Sequence, residues 1–151
     1  MRIIVEANIP YIKGLLEKFG DVAYLPASGI TADAVRRADA LFVRTRTRCD
    51  ASLLDGSSVK FVATATIGTD HIDLQWCRGA GIDVANAPGC NAPAVAQYVH
   101  AVIGSRFGGD VRGLTLGVVG VGHVGGIVAR WGERLCMRVL RCDPPRHRRE
   151  E

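Results

Sequence analysis

Three glycines, Gly120, Gly122 and Gly125, stand at G-x-G-x-x-G spacing directly behind the apolar run Leu116–Val119. Such a run forms a strand buried on both faces. Beyond the glycines, Val124, Ile127, Val128, Trp131 and Leu135 recur at helical spacing. Arg138–Cys142 then reads as a second strand, ended by Asp143, with seventeen residues between that acid and Gly125. A strand–loop–helix–strand unit of this kind can hold a dinucleotide. Gly120 permits the tight turn, Gly122 lets the backbone approach a pyrophosphate, and Gly125 lets the helix pack on its sheet. The helix N-terminus, at His123 and Val124, offers backbone N–H groups to the phosphates. Asp143 at the tip of the second strand accepts both hydroxyls of an adenosine ribose and repels the extra phosphate of NADP, so the expected cofactor is NAD. Arg146 lies near enough to keep an NADP reading open.

The other reactive residues show less pattern. The five cysteines, Cys49, Cys77, Cys90, Cys136 and Cys142, are odd in number and contain no C-x-x-C pair. Reduced thiols in a cytoplasmic protein are therefore expected, without a disulfide framework. His71, His100, His123 and His147 are scattered, and no metal site is expected. Net charge is +4, with Arg141, Arg146, Arg148 and Arg149 gathered near the C-terminus. No aromatic residue interleaves with them and no recognition helix precedes them, so a solvated tail is expected and no nucleic-acid partner. No apolar run approaches the roughly 20 residues that span a bilayer, and the short run after Arg2 soon meets Glu6. Neither a membrane partner nor a signal peptide is expected.

The elements that position these residues alternate between strand and helix. Strands are expected at Arg2–Glu6, Asp21–Leu25, Ala40–Val43, Phe61–Ala65 and Ile82–Ala85. A helix beginning near Pro10 would carry Tyr11, Leu15 and Phe19 as an apolar stripe. Thr31 caps a helix over 32–38, Asp50 one through Leu54, and Asp73 one through Arg78. A longer helix over 92–107 has Val95, Val99, Val102 and Ile103 on one side. The class is α/β with parallel sheets. Five strands precede residue 90, enough for a small doubly wound domain, but two follow residue 110, where a complete dinucleotide fold uses about six. The expected organisation is an α/β domain over 1–91, a linking helix and loop over 92–110, and an incomplete dinucleotide-binding unit over 111–151.

Several blocks then carry a resemblance: NIPYIKGLLEKFG, ADALFVRTRT, FVATATIGTDHID, APGCNAPAVAQYV, GVVGVGHVGGIVAR and LRCDPPR. Across nearly the whole length they resemble the D-2-hydroxyacid dehydrogenases. ATATIGTDHID with APGCNA and CDPPR narrows the likeness to members that act on 4-phosphoerythronate. The resemblance implies a flavodoxin-like substrate domain followed by the start of a Rossmann domain. It also implies a homodimer that oxidises 4-phosphoerythronate with NAD to the 2-oxo acid, on the route to pyridoxal 5'-phosphate.

Position by position, it assigns substrate contact to Thr45 and Thr66, each just past an expected strand end. Hydroxyls there can bond a carboxylate or phosphate, with Arg44 or Arg46 adding charge. His71, inside GTDHID, falls in a structural turn of the family and is not its base. The family's histidine base, its acid partner, its carboxylate-holding arginine and its dimerisation segment lie beyond the position of Glu151. No catalytic residue is therefore assigned within this chain, which is expected to show no turnover by itself. Three positions depart from the family pattern: His123 stands where Asn is more usual, Gln97 where Glu is, and Glu6-Ala7 where an acidic pair is common. Two other readings are a dehydrogenase of a different hydroxy acid and a non-catalytic nucleotide-binding module.

Overall fold

Ile3, Ile4 and Val5 are consecutive, apolar and buried, which obliges their strand to lie inside a sheet covered on both faces. In the computed structural model, which describes residues 1–144, β1 (Arg2–Glu6) does so. Ile3 and Val5 pack with Ile9 and Ala40 on one side, while Ile4 packs with Val35, Leu41 and Val62 on the other. β1 pairs in parallel with both β2 (Asp21–Leu25) and β3 (Ala40–Val43). β4 (Phe61–Thr64) and β5 (Asp83–Ala85) continue the sheet, giving the order β2-β1-β3-β4-β5 with every pair parallel. This is the flavodoxin-like order, whose winding reverses between β1 and β3. Ligands of such sheets bind outside the carboxyl ends of the strands at that reversal.

Three short helices start where a side chain can accept a first-turn N–H. Thr31 Oγ1 accepts from Ala34 at 3.3 Å to begin α1 (Ala32–Val35). Asp50 accepts from Ser52 at 3.0 Å for α2 (Ala51–Leu54), and Asp73 from Trp76 at 2.9 Å for α3 (Leu74–Gly79). α1 ends at Val35, short of the expected Ala38. The helix expected after Pro10 does not form. Tyr11 (φ 59°) and Gly14 (φ 85°) are both left-handed, which breaks the hydrogen-bond ladder, and only a 3-10 turn at Glu17–Phe19 remains. Tyr11, Leu15 and Phe19 are all exposed.

The chain divides into two compact units, Met1–Pro88 and a second from Gly89 onward. The second contains α4 (Ala92–Arg106), β6 (Thr115–Val119), α5 (His123–Arg134) and β7 (Arg138–Cys142). β6 and β7 pair in parallel, with Leu116 opposite Val139. α5 approaches this pair so closely that a Cβ on Gly132 would meet Leu116 Cδ2 at 2.7 Å. Ala96, Val118, Val128 and Ala129 form the core of the unit, and the rings of His100 and Trp131 lie 4.0 Å apart between α4 and α5. α4 buries Ala92 and Ala96, whereas Val95, Tyr98 and Val102 face outward. Val119 (86% exposed) and Leu140 (50%) are also uncovered, so this β-α-β unit presents an open sheet face.

Candidate functional site

β6 leaves its sheet at Gly120, whose φ of 85° suits glycine and few other residues. The Gly120 N–H donates to the Cys142 carbonyl at 2.7 Å, tying the loop to the end of β7. Gly122 precedes α5, and no side chain caps that helix. Its first-turn N–H groups therefore keep their capacity for an anion, at the positive end of the helix dipole. A Cβ on Gly125 would stand 1.9 Å from the Gly120 carbonyl oxygen, so the helix can begin against the loop only with glycine there. Asp143 follows β7 immediately, and its Oδ2 accepts the Val121 N–H at 2.7 Å.

A cleft of about 1220 Å³ opens beside this loop. Gly89, Ala92, Pro93, Gly122, His123, Arg130 and Asp143 are among the residues that line it. Gly120, Val124 and Gly125 do not line it: the first and third shape the loop, and the Val124 side chain packs into the core with Val118. An uncapped helix N-terminus, a carboxylate at the tip of the neighbouring strand and ample room fit a pyrophosphate and a ribose.

Gly89 and Arg130 line the cleft although neither belongs to the G-x-G-x-x-G motif. Gly89 combines a φ of 75° with the His123 ring in the space its Cβ would fill, 2.5 Å from Cδ2. Its signal was the glycine of APGCNA. Arg141 pairs with Glu133 at 2.8 Å. Arg146, Arg148 and Arg149 lie outside the described residues.

In the first unit, β3 and β4 are neighbours, with Val43 opposite Thr64, so their carboxyl ends bring the two expected substrate threonines to adjacent tips. Thr45 is exposed. Thr66 is half-buried and donates to the Gly68 carbonyl at 3.2 Å, while its oxygen lies 2.6 Å from Thr64 Oγ1. Thr64 Oγ1 is also 3.0 Å from His71 Nε2. Desolvation holds the His71 pKa below its ordinary value, opposed by the carboxylates of Asp70 and Glu6. Glu6 is 1% exposed at the end of β1. Its Oε2 accepts the Arg44 N–H at 2.9 Å and the Thr47 hydroxyl at 3.2 Å, clamping both ends of the turn that displays Thr45. Its Oε1 has no hydrogen-bond partner among the described residues. The Arg44 guanidinium donates to the Asn8 carbonyl at 3.1 Å. Nothing in local sequence marks Glu6 as a clamp, because Thr47 is 41 positions away.

Among the described residues no three His, Cys, Asp or Glu side chains group as metal ligands, and no helix is long and apolar enough to cross a membrane.

The family model of the D-isomer specific 2-hydroxyacid dehydrogenase catalytic domain matches residues 3–132. The chain belongs to this family. Erythronate-4-phosphate dehydrogenase of Bacteroides fragilis is 50% identical over 155 aligned residues, which cover 100% of this chain and 44% of that protein. The chain thus spans less than half the length of that relative. Among solved structures, the TT0316 protein of Thermus thermophilus superposes with a TM-score of 0.74 at 28% identity, covering 95% of this chain and 56% of that one. The NAD+-bound 3-phosphoglycerate dehydrogenase of Entamoeba histolytica gives 0.71 at 27%, covering 95% and 54%. These proteins share the α/β architecture with parallel sheets described above.

Proposed function

We propose that the protein carrying this chain is an NAD-dependent dehydrogenase of 4-phosphoerythronate, yielding 3-hydroxy-2-oxo-4-phosphooxybutanoate on the route to pyridoxal 5'-phosphate. The observation that carries the substrate is the 50% identity with the Bacteroides fragilis erythronate-4-phosphate dehydrogenase, sustained over this entire chain. The cleft beside α5 supports the cofactor, as does the NAD+ named with the Entamoeba histolytica neighbour. NAD held in that cleft would supply the hydride acceptor for oxidation at C2 of the substrate, whose hydroxyl proton goes to a base.

Within this chain the residues bind and orient. Gly122, His123 and Val124 would direct backbone N–H groups at the pyrophosphate, and Asp143 would accept from the ribose hydroxyls while Gly120 and Gly125 keep the loop in shape. Thr45 and Thr66 would hold the substrate's anionic groups at the β3 and β4 tips. No residue of 1–151 is assigned as the proton-accepting base, and 1–151 alone is expected to show no turnover. The same reading makes the whole protein a homodimer of the cytoplasm.

The test is NAD reduction by the whole protein with 4-phosphoerythronate, glycerate and lactate side by side. Preference for 4-phosphoerythronate supports the proposal. Preference for another acid leaves a different 2-hydroxyacid dehydrogenase, and NAD binding with no turnover on any of them leaves a nucleotide-binding module.

A further inference from the structure

Four groups at and just past the end of β4 form a chain of contacts whose proton order is fixed by its far end. The Gly68 carbonyl can only accept, so the 3.2 Å contact with Thr66 Oγ1 uses the single hydroxyl proton of Thr66. The 2.6 Å contact between the Thr66 and Thr64 oxygens then requires the proton of Thr64. Thr64 has no proton left for His71, so the 3.0 Å contact to Nε2 is made only if the imidazole carries hydrogen on that nitrogen. All three contacts coexist in one arrangement, running from His71 Nε2–H through Thr64 and Thr66 to the Gly68 oxygen. The opposite tautomer would leave one of the three contacts without a proton.

We propose that His71, acting through Thr64, is a positioning residue that fixes Thr66 as a hydrogen-bond donor to an anionic oxygen of the substrate. Thr64, the middle of the relay, is 4% exposed, so its hydroxyl is shielded from water and needs both partners. Thr66 is only half-buried, and the Gly68 carbonyl stands in for the acceptor that a carboxylate or phosphate oxygen would replace. A donor already polarised by two upstream hydrogen bonds gives a stronger bond to that oxygen than an isolated hydroxyl. Thr66 is thereby selected against ligand groups that only donate. The inference rests on the reading that Thr66 contacts substrate, but the tautomer of His71 does not depend on it.

The first test is long-range nitrogen–proton NMR of the imidazole in the unsubstituted whole protein near neutral pH. The hydrogen is expected on Nε2; hydrogen on Nδ1 would overturn the relay whatever the substrate. The second is calorimetric titration with 4-phosphoerythronate. Thr64→Val and His71→Phe should each weaken binding about five- to tenfold, the range of one lost hydrogen bond. Thr64→Ser, which keeps the hydroxyl, should recover most of that loss. Wild-type affinity in Thr64→Val together with weakened binding in Thr66→Ala would overturn the relay and leave the substrate contact standing. Wild-type affinity in Thr66→Ala would overturn both.

Discussion

Gly125 and Asp143 make the sharpest single-residue demands on this chain. A Cβ at 125 would collide with the backbone oxygen of Gly120, and no side-chain adjustment can relieve an overlap with backbone. Gly125→Ala must push α5 away from the loop, with an expected loss of about 2–4 kcal/mol of stability and of measurable NAD affinity. Thermal unfolding and fluorescence titration with NADH check the two effects. Asp143 bonds the Val121 N–H through one oxygen. Asp143→Ala should weaken NAD about tenfold and weaken NADP less, because the charge that repels the extra phosphate goes too. Comparing both dissociation constants in one buffer checks this; equal losses for the two cofactors would contradict it.

The caps were the most legible feature among the elements. Thr31, Asp50 and Asp73 each precede a short apolar pattern, and each accepts a first-turn N–H as that pattern requires. Asp73→Ala should therefore cost about 1 kcal/mol, read as a lower urea midpoint with unchanged slope. The strands were legible because their apolar runs are short and bounded by turns. The stripe Tyr11–Leu15–Phe19 misled for an equally physical reason. Helical spacing was present, but nothing marked Tyr11 as left-handed, and a side chain in that conformation ends a ladder that periodicity would continue. α4 shows a related limit. Of the expected inner side Val99 packs against the core, yet Val95 and Val102 face out and the small residues Ala92 and Ala96 are the buried ones.

For the molecule as a whole, the sequence carried the glycine loop and its acid because they are close in the chain, and it missed what the sheet brings together. Glu6 meets Thr47, and Thr64 meets His71, only after β1, β3 and β4 are aligned. The cysteines sort by the same burial. Cys49 and Cys77 are buried, and desolvation pushes the Cys49 thiol up to about 12, whereas Cys90, Cys136 and Cys142 are exposed. A disulfide exchange reagent at neutral pH should titrate three thiols in the native chain and five after denaturation. Rapid reaction of all five in the native chain would contradict the described packing of the first sheet.

The proposed dehydrogenase activity is tested most directly by NADH formation in the whole protein supplied with NAD and 4-phosphoerythronate, with Asp143→Ala run beside it. Turnover on this substrate is expected well above that on glycerate or lactate, with a raised KM for NAD in the variant. Turnover on another hydroxy acid in preference, or a variant whose NAD dependence is unchanged, would contradict it.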